Sequence, residues 1–170
     1  NEVKKAYKLL QSSKFRNFAI MQCTGNYPTK IENVNLNVID VYNKKFKCPI
    51  GFSDHTQDST SAIASVGKGV KIIEKHFTLD VNMDGPDHKA SLEPDELKNM
   101  ICLIRNAEKS LGSGIKIPSL SETNNINIAR KSLCAEYKIS KGDIFSEENM
   151  SIKRPGGGVS PFKYWEFIGK

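Results

Sequence analysis

Short apolar runs alternate with longer segments of helical periodicity along the first two thirds of the chain. In the longer segments apolar residues recur three or four positions apart, which predicts amphipathic helices over residues 2–12, 33–46, 58–69 and 92–112. The intervening runs lack polar alternation and are too short for helices, which predicts buried strands over residues 18–24, 48–53 and 70–77. Strands that alternate with helices favour a parallel sheet covered on both faces.

Two α/β architectures agree with this order of elements, a doubly wound open sheet and a (β/α)₈ barrel. No glycine-rich phosphate loop follows a predicted strand, which weighs against the doubly wound dinucleotide-binding type. Three strands cannot close a barrel, so a barrel requires strands outside this sequence. The chain begins without Met inside a predicted helix and stops after a strand-like run over residues 164–170, so we expect it to be a fragment.

The pattern changes after the fourth predicted helix. Residues 113–127 are polar and interrupt the alternation of helices and strands, so they are predicted to form a linker. Residues 128–170 contain short β-like pieces separated by turn sequences at 140–143 and 154–158, which predicts a small β-rich module. A module of this length rarely folds alone, so we expect it to dock on another surface.

Composition narrows the class of protein. Hydrophobic residues make up 38% and charged residues 26% of the chain, which is typical of a soluble globular protein. No apolar run approaches the roughly 18 residues of a membrane-spanning helix. The net charge of +6 comes with lysines spread over the whole length and no aromatic-interleaved basic stripe, which argues against nucleic-acid binding. The four cysteines form no CxxC pair, which indicates a reducing, cytoplasmic location.

All three predicted strands end in polar residues, although each strand is apolar. The strand ends read CTGNYP, GFSDHT and EKHFTLD, and function in parallel α/β folds gathers at these carboxyl ends. Side-chain alternation places Ser53 and His55 on one face, and likewise Glu74 and His76. Neighbouring strands lie about 4.8 Å apart, so the two histidines can reach one ion. Two imidazoles with water and substrate oxygens suit Mn²⁺, Fe²⁺, Co²⁺ or Zn²⁺, whereas loop-capping hydrogen bonds are the structural alternative for each histidine.

Five further polar residues have both a structural and a functional interpretation. Asn26 and Tyr27 either belong to an ordinary turn or hydrogen-bond a polyhydroxylated ligand. Asp87 and His88 follow the third strand, where they either stabilise a surface turn or face a pocket. Arg154, beside the glycine-rich turn, is either a solvated surface arginine or part of a binding site.

Five motifs of the chain occur in the same order in a known family. They are CTGNYPT, GFSDHT, IEKHFTLD, GPDHKASLEPDEL and the tail RKSL…ISKGDIFSEENMSIKRPGGGVSP, and they span nearly the whole chain. The chain resembles the sialic acid synthases, with legionaminate and pseudaminate synthases as relatives. The resemblance implies the C-terminal part of a (β/α)₈ TIM barrel over residues 1–112 and a linker over residues 113–127. It further implies a C-terminally truncated SAF (antifreeze-like, β-clip) domain over residues 128–170.

The resemblance also implies an activity, the condensation of phosphoenolpyruvate with an N-acetylated hexose and water. The hexose would be N-acetylmannosamine or a legionaminic-acid precursor, and the products would be a nine-carbon 2-keto sugar acid and phosphate. The GPDHKAS stretch favours a neuraminate or legionaminate synthase over a pseudaminate synthase. We expect this fragment alone to be inactive, because most phosphoenolpyruvate-binding groups would lie in the missing half of the barrel.

The matching motifs assign roles at the strand ends. By resemblance, His55 and His76 are the two histidine ligands of a divalent metal, Mn²⁺ or Mg²⁺. Ser53 matches a phosphoenolpyruvate-binding position. Glu74 shares a face with His76, which makes it a catalytic candidate for acid/base work or for positioning water.

Other matches concern the sugar. Tyr27 and Asp87 match positions that contact the sugar or its attacked end, so Asp87 is both a catalytic and a substrate-binding candidate. The family often has Asn or Ser where Gly25 stands, so a substrate contact there is expected to be absent or to move to Asn26. Arg154 matches an arginine that reaches the neighbouring subunit's barrel and contacts the N-acetyl group, which implies a domain-swapped homodimer.

Two other functions stay open. The chain can be a non-catalytic sugar-binding module with a vestigial barrel, which the retained His55, His76 and Asp87 disfavour. It can also be a metal-dependent hydrolase on a TIM barrel, which would act without phosphoenolpyruvate.

Overall fold

The chain divides into two compact units, residues 1–114 and 115–170, and the computed structural model describes residues 2–13 and 17–170. Besides two short 3₁₀ turns, the first unit contains the predicted helices and strands in the predicted order. They are α1 (Glu2–Ser12), β1 (Ile20–Cys23), α2 (Asn37–Lys45), β2 (Ile50–Asp54), α3 (Thr60–Val66), β3 (Ile72–Lys75) and α4 (Pro94–Leu111).

Strands β1, β2 and β3 form a parallel sheet whose spatial order follows the sequence. Cys23 lies opposite Ser53, and Ser53 lies opposite Glu74, so the three carboxyl ends meet at one end of the sheet. This arrangement confirms the α/β class with a parallel sheet. Closure of the sheet into a (β/α)₈ barrel stays a prediction, because the described residues supply three parallel strands.

Strand β2 is buried along its whole length. Ile50 and Phe52 project to one side of the sheet, into a core cluster shared with Tyr7, Val34, Ile39 and Phe46. Full burial of a side chain of this size is worth about 1.5–3 kcal/mol. Gly51 projects to the other side, where a Cβ atom would lie 2.9 Å from the carbonyl oxygen of Ile72. The central strand is therefore held by packing on one face and by close strand approach on the other.

A second core cluster joins the last two helices of the first unit to the sheet. Its buried members are Ala62, Val66, Leu92, Met100 and Ile104. Helix α4 starts with Pro94, as predicted, and the N–H of Glu93 donates to the Glu96 carboxylate at 2.9 Å. Gly112, with φ 59°, ends the helix. This cluster and these caps fix the segment that leads from β3 into α4.

The second unit is smaller and contains a two-stranded antiparallel sheet. Its elements are α5 (Leu120–Ala129), β4 (Ser132–Ala135), β5 (Met150–Lys153), a 3₁₀ turn (Pro161–Lys163) and α6 (Tyr164–Phe167). The predicted turn at 140–143 is closed by the Asp143 N–H, which donates to the Ser140 carbonyl at 3.1 Å. In the predicted turn at 154–158, Gly156 to Gly158 all have positive φ. The SAF assignment of this unit stays a prediction.

The second part of the chain contains two helical segments that the sequence did not predict. Residues 113–127 were expected to be a linker, a role that stays a prediction, and helix α5 begins within them at Leu120. Ser119 caps this helix, since its N–H donates to Glu122 at 2.7 Å and its Oγ accepts from the Glu122 N–H. Residues 164–170 were expected to be strand-like, but they contain the helical turn α6. None of the helices in the described part of the chain is both long enough and apolar enough to cross a membrane.

Candidate active site

The polar side chains predicted at the strand ends lie together on one face of the sheet. Ser53 Oγ donates to Glu74 Oε1 at 2.6 Å and lies 3.3 Å from His55 Nε2. This contact follows from the register, because Ser53 and Glu74 are opposite each other in the parallel pair β2–β3. The structure therefore brings Ser53, His55, Glu74 and His76 to one site, as side-chain alternation predicts.

Both histidines direct Nε2 toward a common point. The ring centroids of His55 and His76 lie 5.7 Å apart, and the ring planes are nearly perpendicular, at 83°. The Tyr27 hydroxyl hydrogen-bonds His55 Nε2 at 2.7 Å and also makes a close hydrogen bond with His76 Nε2. Because one oxygen atom contacts both nitrogens, a single small ligand at this point would also reach both.

This donor set fits a divalent metal with two protein ligands. Imidazole nitrogen suits Mn²⁺ better than Mg²⁺, which prefers oxygen ligands. Cys23 Sγ lies 3.7 Å from His55 Nε2, but no group of three His, Cys, Asp or Glu side chains with metal-site geometry occurs among the described residues. The remaining ligands would then be water and substrate oxygens, as the sequence predicts.

Asp87 lies on the far side of His76 from the common point. Its Oδ2 is 4.0 Å from His76 Nδ1. A carboxylate in this position favours the tautomer that keeps the proton on Nδ1 and leaves the Nε2 lone pair free. His88, the other candidate in this loop, is 2.7 Å from Thr78 Oγ1 through its Nδ1. Its ring packs against Gly85, where a Cβ atom would lie 2.8 Å away, so His88 supports the loop.

Tyr27 reaches the site from the loop after β1. The pKa of its phenol is raised, first by partial burial and then by the negative charges of Asp87, Cys23 and Glu74. The phenol is therefore neutral at physiological pH and available as a hydrogen-bond donor. Asn26, predicted as a substrate contact, takes part in this loop through its carbonyl, which accepts from Thr29 Oγ1 at 2.7 Å.

Sequence reasoning missed the groups that hold this loop and its neighbour in place. The Thr29 N–H donates to the His55 carbonyl at 2.8 Å, which ties the Tyr27 loop to the end of β2. Behind the site, Lys75 Nζ lies 3.1 Å from Asp54 Oδ2, and both side chains are buried. Alternation puts Asp54 and Lys75 on the face opposite the histidines, and the register pairs them, which was the signal available in the sequence.

Arg154 lies in the second unit. Its Nε donates to the carbonyl of Ala129, at the end of α5, at 3.0 Å. Its side chain is exposed. The role of Arg154 in binding the sugar therefore stays a prediction.

Known proteins similar to this chain include two synthases of legionaminic acid. The chain is 48% identical over 171 residues to N,N′-diacetyllegionaminic acid synthase of Campylobacter jejuni, which covers 99% of this chain and 51% of that protein. It is 39% identical over 150 residues to N,N′-diacetyllegionaminic acid synthase of Legionella pneumophila, which covers 88% of this chain and 42% of that protein. The chain thus spans about half the length of the curated relatives that it matches.

A solved structure shares the fold. The N-acetylneuraminic acid synthetase of Leptospira borgpetersenii superposes with a TM-score of 0.66 at 33% identity, covering 74% of this chain and 44% of that one. The sequence model of the NeuB family matches residues 1–116, which include all three parallel strands and the convergent histidines. Because this match spans more than half of the chain, the chain belongs to the NeuB family.

Proposed function

We propose that the protein carrying this chain is a sugar-acid synthase that condenses phosphoenolpyruvate with an N-acetylated hexose and water. Carbon 3 of phosphoenolpyruvate forms the new bond to the aldehyde carbon of the hexose. Water adds at carbon 2, and the carbon–oxygen bond to the phosphate group breaks. The products are a nine-carbon 2-keto sugar acid and phosphate. The observation that carries this proposal is the convergence of two imidazole Nε2 atoms beside Ser53 and Glu74 in a chain of the NeuB family.

The residues of the site divide the work between the two substrates. His55 and His76 would hold Mn²⁺, which when bound supplies a Lewis acid for the sugar aldehyde. Ser53 donates a hydrogen bond toward phosphoenolpyruvate once its hydroxyl turns from Glu74. Glu74, freed of that hydrogen bond, orients the attacking water or accepts its proton.

The sugar would be bound by the Tyr27 loop and the loop after β3. Tyr27 donates a hydrogen bond from its neutral phenol, and Asp87 both orients His76 and faces the attacked end of the sugar. Among N-acetylated hexoses we favour a legionaminic-acid precursor over N-acetylmannosamine, because two of the relatives are legionaminic acid synthases. Asn26 is retained as a substrate contact, since its side chain is exposed on the Tyr27 loop.

We further propose a homodimer in which Arg154 completes the partner's sugar site. Arg154 is exposed, and large apolar side chains of its unit, such as Phe162 and Trp165, are exposed too. Such side chains gain stability when another surface covers them.

The test uses a protein of the relatives' full length that contains this chain. Phosphate release is measured with MnCl₂, phosphoenolpyruvate and a series of N-acetylated hexoses, and Mn²⁺ binding is measured by electron paramagnetic resonance. We expect phosphate release only when both substrates are present. His55→Ala and His76→Ala should each weaken Mn²⁺ binding by at least about 100-fold, since each removes one of two protein ligands.

His88→Gln is the matched control, because it removes the third histidine of the chain without touching the convergent pair. Its Mn²⁺ affinity should stay close to that of the wild type. Full turnover by the His55 and His76 variants would overturn the metal assignment. Sugar cleavage without phosphoenolpyruvate would indicate a hydrolase, and sugar binding without turnover would indicate a binding module.

A further inference from the structure

We propose that Lys75, from the face of the sheet opposite the histidines, is the positioning residue that sets the spacing of His55 and His76. This inference rests on the proposed function, in which the two histidines share one metal ion. It concerns a side chain that touches neither the ion nor a substrate.

The contacts of Lys75 all go to the short segment that carries His55. The Lys75 side chain is 2% exposed, and its Nζ lies 3.1 Å from Asp54 Oδ2. The same Nζ donates to the carbonyl of Asp58 at 2.8 Å and makes a close hydrogen bond with the carbonyl of Thr56. Each of the three donor hydrogens of the ammonium group therefore has an acceptor within residues 54–58.

The second carboxylate oxygen of Asp54 also binds within residues 54–58. Its Oδ1 accepts from the Thr56 N–H at 2.9 Å and from Thr56 Oγ1 at 2.8 Å. The carboxylate thus holds both the ammonium group and the backbone directly after His55. With both partners in place, every buried polar group named here has a hydrogen-bond partner.

The position of Lys75 in the chain links this segment to the second histidine. Lys75 stands between Glu74 and His76 on β3, and it is directly opposite Asp54 in the parallel pairing. Its backbone carries His76, while its side chain fixes the segment of His55. One residue therefore acts on both metal-ligand candidates at once.

Two further hydrogen bonds connect the backbone of His55 and of His76 to the two loops that would bind the sugar. The His55 carbonyl accepts from the Thr29 N–H at 2.8 Å, and the His76 carbonyl accepts from the Leu92 N–H at 2.9 Å. The first bond ties in the loop of Tyr27, and the second ties in the loop that carries Asp87. A shift of residues 54–58 would therefore reach the Tyr27 loop, and a shift of the β3 backbone at Lys75 and His76 would reach the loop that carries Asp87.

A buried ion pair is a poor device for stability alone, because well-packed apolar residues of similar size often do as well or better. The ammonium group at Lys75 instead supplies directed hydrogen bonds to two carbonyl groups, which no apolar side chain can replace. The loss of the ion pair can be compensated by a second substitution, whereas the loss of the hydrogen bonds to the carbonyl groups cannot. The two contributions can therefore be measured separately.

The experiment compares Lys75→Met, the double variant Lys75→Met/Asp54→Asn, and Lys68→Met in the full-length protein. The single variant leaves the Asp54 charge buried and unpaired, which lowers the melting temperature. The double variant removes that charge and keeps an acceptor for Thr56, so much of the melting temperature should return. Mn²⁺ affinity should nevertheless stay about 10- to 100-fold below wild type in both variants, because the carbonyl contacts are still lost.

Lys68→Met is the matched control. Lys68 Nζ pairs with Asp40 at 2.7 Å and with Asn37 at 2.8 Å, but these contacts lie away from the strand ends. Its removal should leave Mn²⁺ affinity unchanged. Recovery of Mn²⁺ affinity together with the melting temperature in the double variant would overturn the inference, because Lys75 would then be structural only.

Failure of the proposed function gives a different result. If the wild type binds no Mn²⁺, the metal assignment fails, and amide hydrogen exchange then decides the role of Lys75. The amides of residues 55–60 should exchange faster in the double variant than in Lys68→Met. Equal exchange in the two variants would overturn the inference by itself.

Discussion

The two units of the chain bury their apolar side chains to very different extents. The first unit has two core clusters, and its central strand carries Ile50 and Phe52 at 2% exposure. In the described part of the second unit, Met150 is the one buried hydrophobic side chain, whereas Leu120 is 93% and Phe162 is 99% exposed. The first unit is therefore held by its core, and the second by turns, helix caps and one strand pair.

This difference explains where precise geometry can arise. Ser53, His55, Glu74 and His76 stand at the ends of strands that pack on two core clusters, so the core restricts how far the backbone beneath them can move. Arg154 stands beside a glycine-rich turn in a unit with little core of its own. Under the proposed function, Arg154 would acquire a fixed position only through contact with a partner surface.

Phe52 lies in the core of the better-packed unit. Phe52→Ala should lower the free energy of unfolding of the first unit by about 3–5 kcal/mol, because it removes a buried ring and leaves a cavity. Denaturant unfolding followed by circular dichroism measures this loss. Hydrogen exchange resolved by peptide should locate it in residues 17–114, with the second unit little changed.

The matched variant is Phe162→Ala in the second unit. Its ring is exposed, so its loss should change the free energy of unfolding by no more than about 0.5 kcal/mol. A loss as large as that of Phe52→Ala would mean that the Phe162 ring is buried in solution, and the contrast between the units would then disappear.

The N-terminal cap of helix α5 is expected to contribute to the stability of the second unit. Ser119→Ala removes the Oγ that accepts from the Glu122 N–H, and it should cost about 0.5–2 kcal/mol. Faster hydrogen exchange confined to the first turn of α5 would identify the cause. Ser119→Asp keeps an acceptor at the same position and should behave like the wild type; equal losses in the two variants would contradict the capping role.

The strand-end site was predictable because alternation and strand order decide it almost alone. Strand β2 is buried on both faces, so its apolar sequence stands out from the helices around it. Once the three strands are parallel and neighbouring, Ser53, His55, Glu74 and His76 must share one face. No long-range contact had to be guessed.

Helix α5 and the hydrogen bonds that support the histidines were not predicted, because neither leaves a periodic pattern in the sequence. The apolar residues of helix α5 do not recur on one face, so no periodic pattern marks the helix, and Leu120 and Ile128 are both exposed. Alternation and register indicate the Asp54–Lys75 pair, but the hydrogen bonds from Thr29 and Lys75 to backbone carbonyls have no signal in the sequence, because every residue possesses a carbonyl group. Their side-chain types alone could not indicate that they support the histidines.

The ionisation of Tyr27 tests the environment of the site in the first unit. The pKa of Tyr27 is raised above its ordinary value of 10.0, first by desolvation and then by Asp87, Cys23 and Glu74. As pH rises, the unfolded chain therefore releases this phenolic proton before the folded chain does. The stabilisation is complete below pH 10 and is lost as pH rises through the folded pKa.

Absorbance at 295 nm, recorded against pH without added metal, checks this sign. Tyr27→Phe should remove a late-titrating component, whereas Tyr137→Phe, in the second unit, should leave that component in place. Asp87→Asn should move it part of the way toward lower pH, because it removes one negative charge while the larger cause, desolvation, remains. If Tyr27→Phe instead removes an early-titrating component, the convergence of the two imidazoles on a neutral phenol is wrong. The Tyr27 phenol would then be as well solvated as the phenol of a surface tyrosine in the second unit.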